Sequence, residues 1–334
     1  MEAEKKRRLL IMTIIISMII CILGVMGYKE KKNEQSVMEE VLGYVEHGAV
    51  MPNISDNNTL LPFEYNDDQF SIDYYLHANG IAKDIGLMVF LDGKIVQSNV
   101  NGGKYQYCNY FELDESEQNY TFSLGFSTET LDNGKEYSLD IVSLYYPSYE
   151  PDMMEDKSYG ICHSALASNY SLIYQGKTAD YAEIYNSEAL ISDVCTYEPI
   201  SDIELNDFRI DEIVNKSFTK KGVYFASYID ERLIYDNYNI LEDKIHITHK
   251  FLGKPGIEYE TTFFIDHEPI EVGSEMSVRH VTQDNQVCVI DFYLDAEIVE
   301  DRSTFYSITV PKKTFEYIEY DIGIYKTDSI LLYK

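Results

Sequence analysis

Three hydrophobic patterns succeed one another along this chain. The first is unbroken: the eighteen residues from Leu9 to Met26 carry no charge and are mostly aliphatic, with seven Ile among them. At ~1.5 Å rise per residue they make a helix of about 27 Å, close to the ~30 Å hydrocarbon core of a bilayer. The second pattern, from Tyr28 to about Gly48, is sparse and helical in period, with Val37, Val41, Tyr44 and Val45 on one face. It predicts a short stalk. The third begins near Leu60 and has a period of two. Phe122, Leu124 and Phe126 alternate with Thr121, Ser123 and Gly125, while Tyr137, Leu139 and Ile141 alternate with Ser138 and Asp140. That alternation predicts strands with one face in a core.

Turn chemistry supports the same reading. Asp92-Gly93 lies between Gly86–Leu91 and Lys94–Gln97, and Asn133-Gly134 precedes Lys135–Tyr145. Both dipeptides tolerate the positive φ of a tight primed turn and predict hairpins. Val89-Phe90-Leu91-Asp92 is echoed by Phe263-Phe264-Ile265-Asp266, and Phe122–Tyr145 by Val289–Val310, a weak signal of tandem repetition. Short helices are expected at Ser164–Ala167 and Thr178–Tyr185. The chain is thereby divided into a tail at 1–8, a transmembrane helix at 9–27, a stalk and linker at 28–58, a first sandwich at 59–150, a connecting region of mixed structure at 151–221 and a second sandwich at 222–334. The expected fold class is all-β: an N-terminal transmembrane helix followed by two Ig-like antiparallel β-sandwich domains.

Charge gives the anchor a direction. Lys5, Lys6, Arg7 and Arg8 precede the apolar run, and Lys29, Lys31 and Lys32 follow it. The short basic tail resists translocation, so the N-terminus is expected in the cytoplasm and the body outside. The run is long for a cleaved signal peptide. Cys21 follows Ile20, where an acylated cysteine needs a small neighbour, and is read as an ordinary apolar residue of the helix. The formal net charge of −30 and the absence of a basic patch exclude a nucleic-acid binder. The partners expected are the membrane, through the helix, and another protein.

Candidate chemistry is thin, and no catalytic, cofactor or metal residue is assigned. His246 and His249 would point to opposite faces of a strand, which excludes a simple chelate. His163 beside Cys162 suggests a thiol with a base, but neighbours in sequence rarely face each other and no orienting group is identifiable. Ser217-Phe218-Thr219-Lys220 matches a Ser-x-x-Lys pattern without its companion motifs. Gly176-Lys177-Thr178 lacks the earlier glycine of a phosphate loop. Asn66-Asp67-Asp68 and Asp152–Asp156 are read as solvated turns. Cys108, Cys162, Cys195 and Cys288 have no metal-ligand spacing; they permit three disulfide connectivities and are expected to be mostly free and buried, with Cys288 on the core face of a strand.

At Gly86–Gln97 and at Tyr145-Tyr146-Pro147-Ser148-Tyr149-Glu150-Pro151-Asp152 the chain resembles uncharacterised single-pass exported proteins of Gram-positive anaerobes with Ig-like β domains. The resemblance implies an extracytoplasmic body on an N-terminal anchor and no activity. The function expected is a membrane-anchored extracytoplasmic binding or accessory protein, not an enzyme. The alternatives are a sensor or regulatory subunit of a membrane complex such as a transporter and, behind it, an extracellular hydrolase.

Overall fold

A computed structural model describes residues 44–55, 60–113, 118–128, 131–152, 158–176, 192–201, 208, 223–313 and 323–334. The apolar run at 9–27 lies outside them; among the described residues no helix is long and apolar enough to cross a membrane. In chain order the first body comprises β1 (Tyr44–Ala49), β2 (Phe63–Tyr65), β3 (Gln69–Asn79), β4 (Asp84–Leu91), β5 (Lys94–Val96), β6 (Ser98–Val100), β7 (Asn109–Glu112), β8 (Gln118–Ser127), β9 (Glu136–Tyr145) and β10 (Ala165–Tyr174). One sheet runs β1-β3-β8-β6; the other runs β2-β10-β9-β4-β5, with β7 also on β4. In Ig lettering these are A-B-E-D and G-F-C-C′, with β2 added parallel to the last strand. Tyr137, near the start of β9, accepts a hydrogen bond from the Asp132 amide at 2.7 Å, the tyrosine corner of such folds.

The second body repeats the plan. It comprises β11 (Cys195–Pro199), β12 (Tyr224–Ile229), β13 (Arg232–Leu233), β14 (Asn237–Asn239), β15 (Lys244–Leu252), β16 (Glu258–Ile265), β17 (Glu268–Ile270), β18 (Val278–Val281), β19 (Gln286–Asp295), β20 (Arg302–Pro311), β21 (Tyr325–Lys326) and β22 (Ile330–Tyr333). Its sheets run β11-β19-β15-β12-β13 and β14-β22-β20-β16-β17, with β18 on β16 and β21 on β20. The sequence echo falls on equivalent places. Asp92 and Asp266 each begin a two-residue turn, at φ 47° and 49°. Each exchanges backbone and side-chain hydrogen bonds with the following central strand, Asp92 with Ser138 and Asp266 with Thr304. The second body adds β13 beside β12 and β21 on β20, and one edge is built differently: the strand beside β8 is β6, from within its own domain, whereas its counterpart beside β19 is β11, from the segment ahead of the domain.

Several local expectations are corrected. Tyr44–Ala49, read as helical stalk, pairs antiparallel with β3. Ser164–Ala167, read as a helix, leads into β10, which pairs with β9 along nine positions. Asn133-Gly134 is not a hairpin. Gly134 adopts φ 76°, but the turn passes the chain from β8 in one sheet to β9 in the other. In each case short-range pattern was ambiguous and backbone pairing with a distant strand decided. Strands from 28–58 and 151–221 thus complete the sandwiches; Thr178–Tyr185 lies outside the described residues.

The central strands β4, β9, β16 and β20 are buried nearly end to end. Continuous burial requires cover on both faces. In β4, Leu87, Val89 and Leu91 enter the core of the first sandwich, while Met88 and Phe90 belong to a separate cluster with Val142, Leu144, Phe264, Tyr306, Ile308 and Val310. That cluster is a seam between the two domains, each contributing its corresponding sheet, so the sandwiches are fused through related faces. Gly93 serves the close approach: a Cβ there would lie 3.0 Å from the Glu260 side chain and 3.2 Å from the Val310 carbonyl. Substituting Phe264, fully buried in the seam, with Ala is expected to cost ~3–5 kcal/mol in urea unfolding and to expand the molecule in solution scattering. Unchanged stability would show that the seam is not packed.

Candidate binding cleft between the sandwiches

The seam ends differently at its two rims. At one, charges of the second domain pair with one another, and Lys94 of the first domain adds its field at Glu260. Arg279 Nε lies 3.0 Å from the carboxylate of buried Glu260 and 3.1 Å from Glu258, which also takes Lys312 at 2.8 Å. Burial raises the Glu260 pKa, with Lys94 and Arg279 opposing. These pairs make an ion network at this rim.

At the other rim a cavity of about 340 Å³ opens between the β9–β10 connection and the β21–β22 corner. From the first domain it is lined by Tyr159, Cys162 and His163, and from the second by Asp236, Lys326 and Ser329. Just ahead of β10 the chain makes a turn, with the Cys162 amide on the Tyr159 carbonyl, in which Gly160 and His163 both adopt positive φ, at 58° and 62°. The His163 amide is held by the Tyr145 carbonyl at 2.7 Å. This geometry aims the imidazole across the junction.

Hydrogen-bond partners define the protons. His163 Nε2 lies 2.9 Å from the Tyr149 carbonyl, which only accepts, so Nε2 carries the hydrogen. Nδ1 therefore accepts, and the Ser329 hydroxyl at 3.1 Å donates to it. The ammonium of Lys326 donates to the same Ser329 oxygen at 2.8 Å and to the Thr327 carbonyl at 2.9 Å. It also sits 4.4 Å above the Tyr306 ring. His267 is arranged alike: Nε2 donates to the Pro147 carbonyl and Nδ1 accepts from the Tyr306 hydroxyl, each at 2.9 Å. His163 and His267 pack at 5.3 Å between ring centroids. Desolvation lowers the pKa of His163 to about 2, with help from His267 and Lys326. The same cause lowers His267 to about 4 and Lys326 to about 7. The cleft thus holds neutral imidazoles and a lysine poised between its charge states.

None of this arrangement was read from the sequence. The sequence offers His163 as a partner for Cys162, but its two nitrogens go to Ser329 and Tyr149, and burial raises the Cys162 thiol to about 11. No local signal connects His163 with Ser329, which lie 166 positions apart. His246 and His249 do point apart. His246 meets exposed Asp291 at 2.8 Å, whereas His249 is fully buried on Ser227. Asp67 and Asp68 offer their carbonyls to Thr128 as an ordinary turn. Ser217–Lys220, Lys177-Thr178 and residues 153–156 of the acidic run lie outside the described residues. Among the described residues, no group of three or more His, Cys, Asp or Glu is placed to hold a metal ion.

The cleft histidines belong to a wider set. Of seven histidines in the chain, His47, His163, His249, His267 and His280 are buried. Desolvation lowers His47 and His249 to about 4 and His280 to about 3. The unfolded chain takes up these protons near pH ~6.5, while the folded chain refuses them until far lower pH. Unfolding therefore binds protons, and stability falls as pH drops from 6.5 towards 4, by up to about 1.4 kcal/mol per histidine per pH unit. Burial raises Asp84, Asp92 and Glu260, which opposes the trend with fewer groups. The melting temperature is expected to drop by roughly ten degrees or more between pH 7 and pH 4.5, and His280→Gln should flatten that slope. An acid-insensitive melting curve would contradict the burial of these rings. Lys326 acts at higher pH: its contribution is complete above ~10.5 and is lost as pH falls towards 7, so Lys326→Met should remove a gain in stability between pH 7 and 8.5.

No family model matches the chain, and no curated protein matches it. Solved structures of similar outline include a chain of the CsuC–CsuE chaperone–tip adhesion subunit pre-assembly complex of archaic Csu pili of Acinetobacter baumannii. It is 12% identical over 87% of this chain and 99% of that one, at a TM-score of 0.18. The periplasmic chaperone SfaE is 9% identical over 87% and 99%, at 0.23. The N-terminal Ig1-2 module of the Drosophila receptor protein tyrosine phosphatase DLAR is 10% identical over 86% and 97%, at 0.19. Superposition at these scores is poor, and the Ig-like arrangement rests on the strand order of this chain itself: two fused β-sandwich domains with an all-β fold.

Proposed function

We propose that the protein is an extracytoplasmic binding module, carried on the apolar segment at 9–27 with its N-terminus in the cytoplasm, as in the single-pass exported proteins it resembles. The observation that supports this reading is the cleft at the open rim of the seam. Binding sites favour domain junctions, where a few polar groups converge in a preformed concavity. Here Lys326, His163, Ser329 and Asp236 converge in a space of about 340 Å³, large enough for a polar side chain of a protein partner. The other reactive groups are consumed inside the fold. The four described cysteines are buried, as are most of the histidines.

The test is photo-crosslinking in native membranes from position 235, where Tyr235 lines the cleft, comparing the chain with Lys326→Met and Asp236→Ala versions. One partner should be captured, and both substitutions should reduce its yield about tenfold (~1.4 kcal/mol). Equal capture by all three versions would remove the cleft as the binding site.

A second reading, hydrolysis, has one observation in its favour. Ser329 lies within hydrogen-bond reach of both Lys326 and His163, the arrangement of an activated nucleophile. Against it, the serine is only 3% exposed, and the nearby Thr327 amide is already bonded to the Ser307 carbonyl instead of being free for an oxyanion. Ester or amide hydrolysis by the full chain, abolished by Ser329→Ala, would establish this reading over binding alone.

A further inference from the structure

β11 is an edge strand that the second sandwich draws from a different place than the first does. It comes from ahead of the domain and, among the described residues, lies at the edge of its sheet and pairs with β19 alone. Its register sets Cys195 opposite Ile290 and Tyr197 opposite Cys288, so the two cysteines are diagonal neighbours on adjoining strands. Both side chains enter the core, with Cys195 8% and Cys288 1% exposed. Their sulfurs are 2.8 Å apart. Ordinary non-bonded heavy atoms rest at ~3.5–4.0 Å, and a disulfide measures ~2.05 Å. The separation therefore lies well inside non-bonded contact and less than an ångström from a covalent bond. Around the pair, Tyr197 fastens the same strand to the Val281 carbonyl and amide at 2.8 and 3.0 Å. That fastening holds β11 where its cysteine sulfur stays within an ångström of bonding distance.

We propose that Cys195 and Cys288 are a modification site: they close into a disulfide that clasps β11 to β19 and seals the edge of the second sandwich. The bond is not the B-to-F inter-sheet bridge of antibody domains; it joins neighbours within one sheet. The oxidant is a disulfide of another molecule, a protein dithiol oxidant or a small-molecule disulfide. The Cys195 thiolate attacks one sulfur of that disulfide, forming a mixed disulfide and releasing the other sulfur as a thiolate. The Cys288 thiolate then attacks the Cys195 sulfur, and the remaining oxidant sulfur leaves. Two protein thiols lose two electrons and two protons in all, and the oxidant becomes two thiols.

Of the pair, Cys195 is the nucleophile. Its hydrogen bond with Cys288 lowers its pKa and raises that of Cys288. It also lies on the edge strand, where fraying or late docking admits the oxidant. The other described cysteines do not compete: burial raises Cys108 to about 12 and Cys162 to about 11. Once closed, the ring spans Cys195 to Cys288 and prevents the edge strand from peeling away.

The inference does not depend on the cleft. The full chain, extracted from its native membranes with free thiols blocked at once, is digested without reduction and mapped by mass spectrometry. A cross-linked peptide pair containing Cys195 and Cys288, about 2 Da lighter than the two thiols, is expected, because forming the bond removes two hydrogens. Reductant should separate the pair and lower the melting temperature by several degrees, a shift absent from Cys288→Ala protein. If the native pair is reduced, the same preparation is treated with oxidised glutathione. Rapid, selective linkage of these two cysteines then supports the site and places the body in a reducing compartment. No linkage in either arm, with both residues alkylated once the chain is unfolded, would overturn the proposal.

Discussion

The apolar seam in which Met88, Phe90, Val142 and Leu144 meet Phe264, Tyr306, Ile308 and Val310 is the contact on which the rest of the molecule depends. A sandwich normally leaves the outer face of each sheet to water, and its strands alternate accordingly. Here the G-F-C sheets of both domains cover one another, so their central strands lose water on both faces. Burying these side chains stabilises the pair by the ordinary hydrophobic term, about 25 cal/mol for each Å² of apolar surface removed from water. It also sets a steric condition at the turns, met by glycine at position 93 and by a hydrogen-bonded histidine at the equivalent position 267.

Polar chemistry concentrates at the rims because the seam itself excludes it. One rim resolves this by pairing Glu258 and Glu260 with Arg279 and Lys312. At the other, backbone carbonyls of the β9–β10 connection take the imidazole hydrogens, which leaves Nδ1 of each ring as an acceptor for a hydroxyl. A protonated imidazole would lose that acceptor and carry an unsolvated charge, and that is the physical origin of the depressed pKa values. The same desolvation brings Lys326 near neutrality. The chemistry of the cleft is therefore a by-product of domain fusion.

Much of the architecture was legible along the chain. Alternation at Phe122–Phe126 and Tyr137–Ile141 correctly indicated strands, Asp92-Gly93 a primed hairpin, and Cys288 a core position, because each depends on neighbours a few residues away. The echo of Val89–Asp92 in Phe263–Asp266 marked equivalent corners of the two domains. What failed were windows whose pattern suited two structures. Tyr44–Ala49 satisfied a helical period, and Asn133-Gly134 had the composition of a hairpin turn, yet strand partners far along the chain assigned one to a sheet edge and the other to an inter-sheet crossing. The hairpin reading of Gly86–Leu91 carried no statement that both faces of that strand are covered; the seam supplied it.

By itself, the sequence determined the all-β class, the two sandwiches and the position of the apolar run ahead of them, since hydrophobic period and turn chemistry are local properties. Only the tertiary structure decided that the sandwiches are fused through corresponding sheets and that β11 completes the second from outside it. It alone placed His163 beside Ser329, and Cys195 beside Cys288. These are contacts between residues 93 to 166 positions apart. The first depends on how two folded domains register against each other and the second on which strand completes a sheet edge, relations that no window of sequence contains.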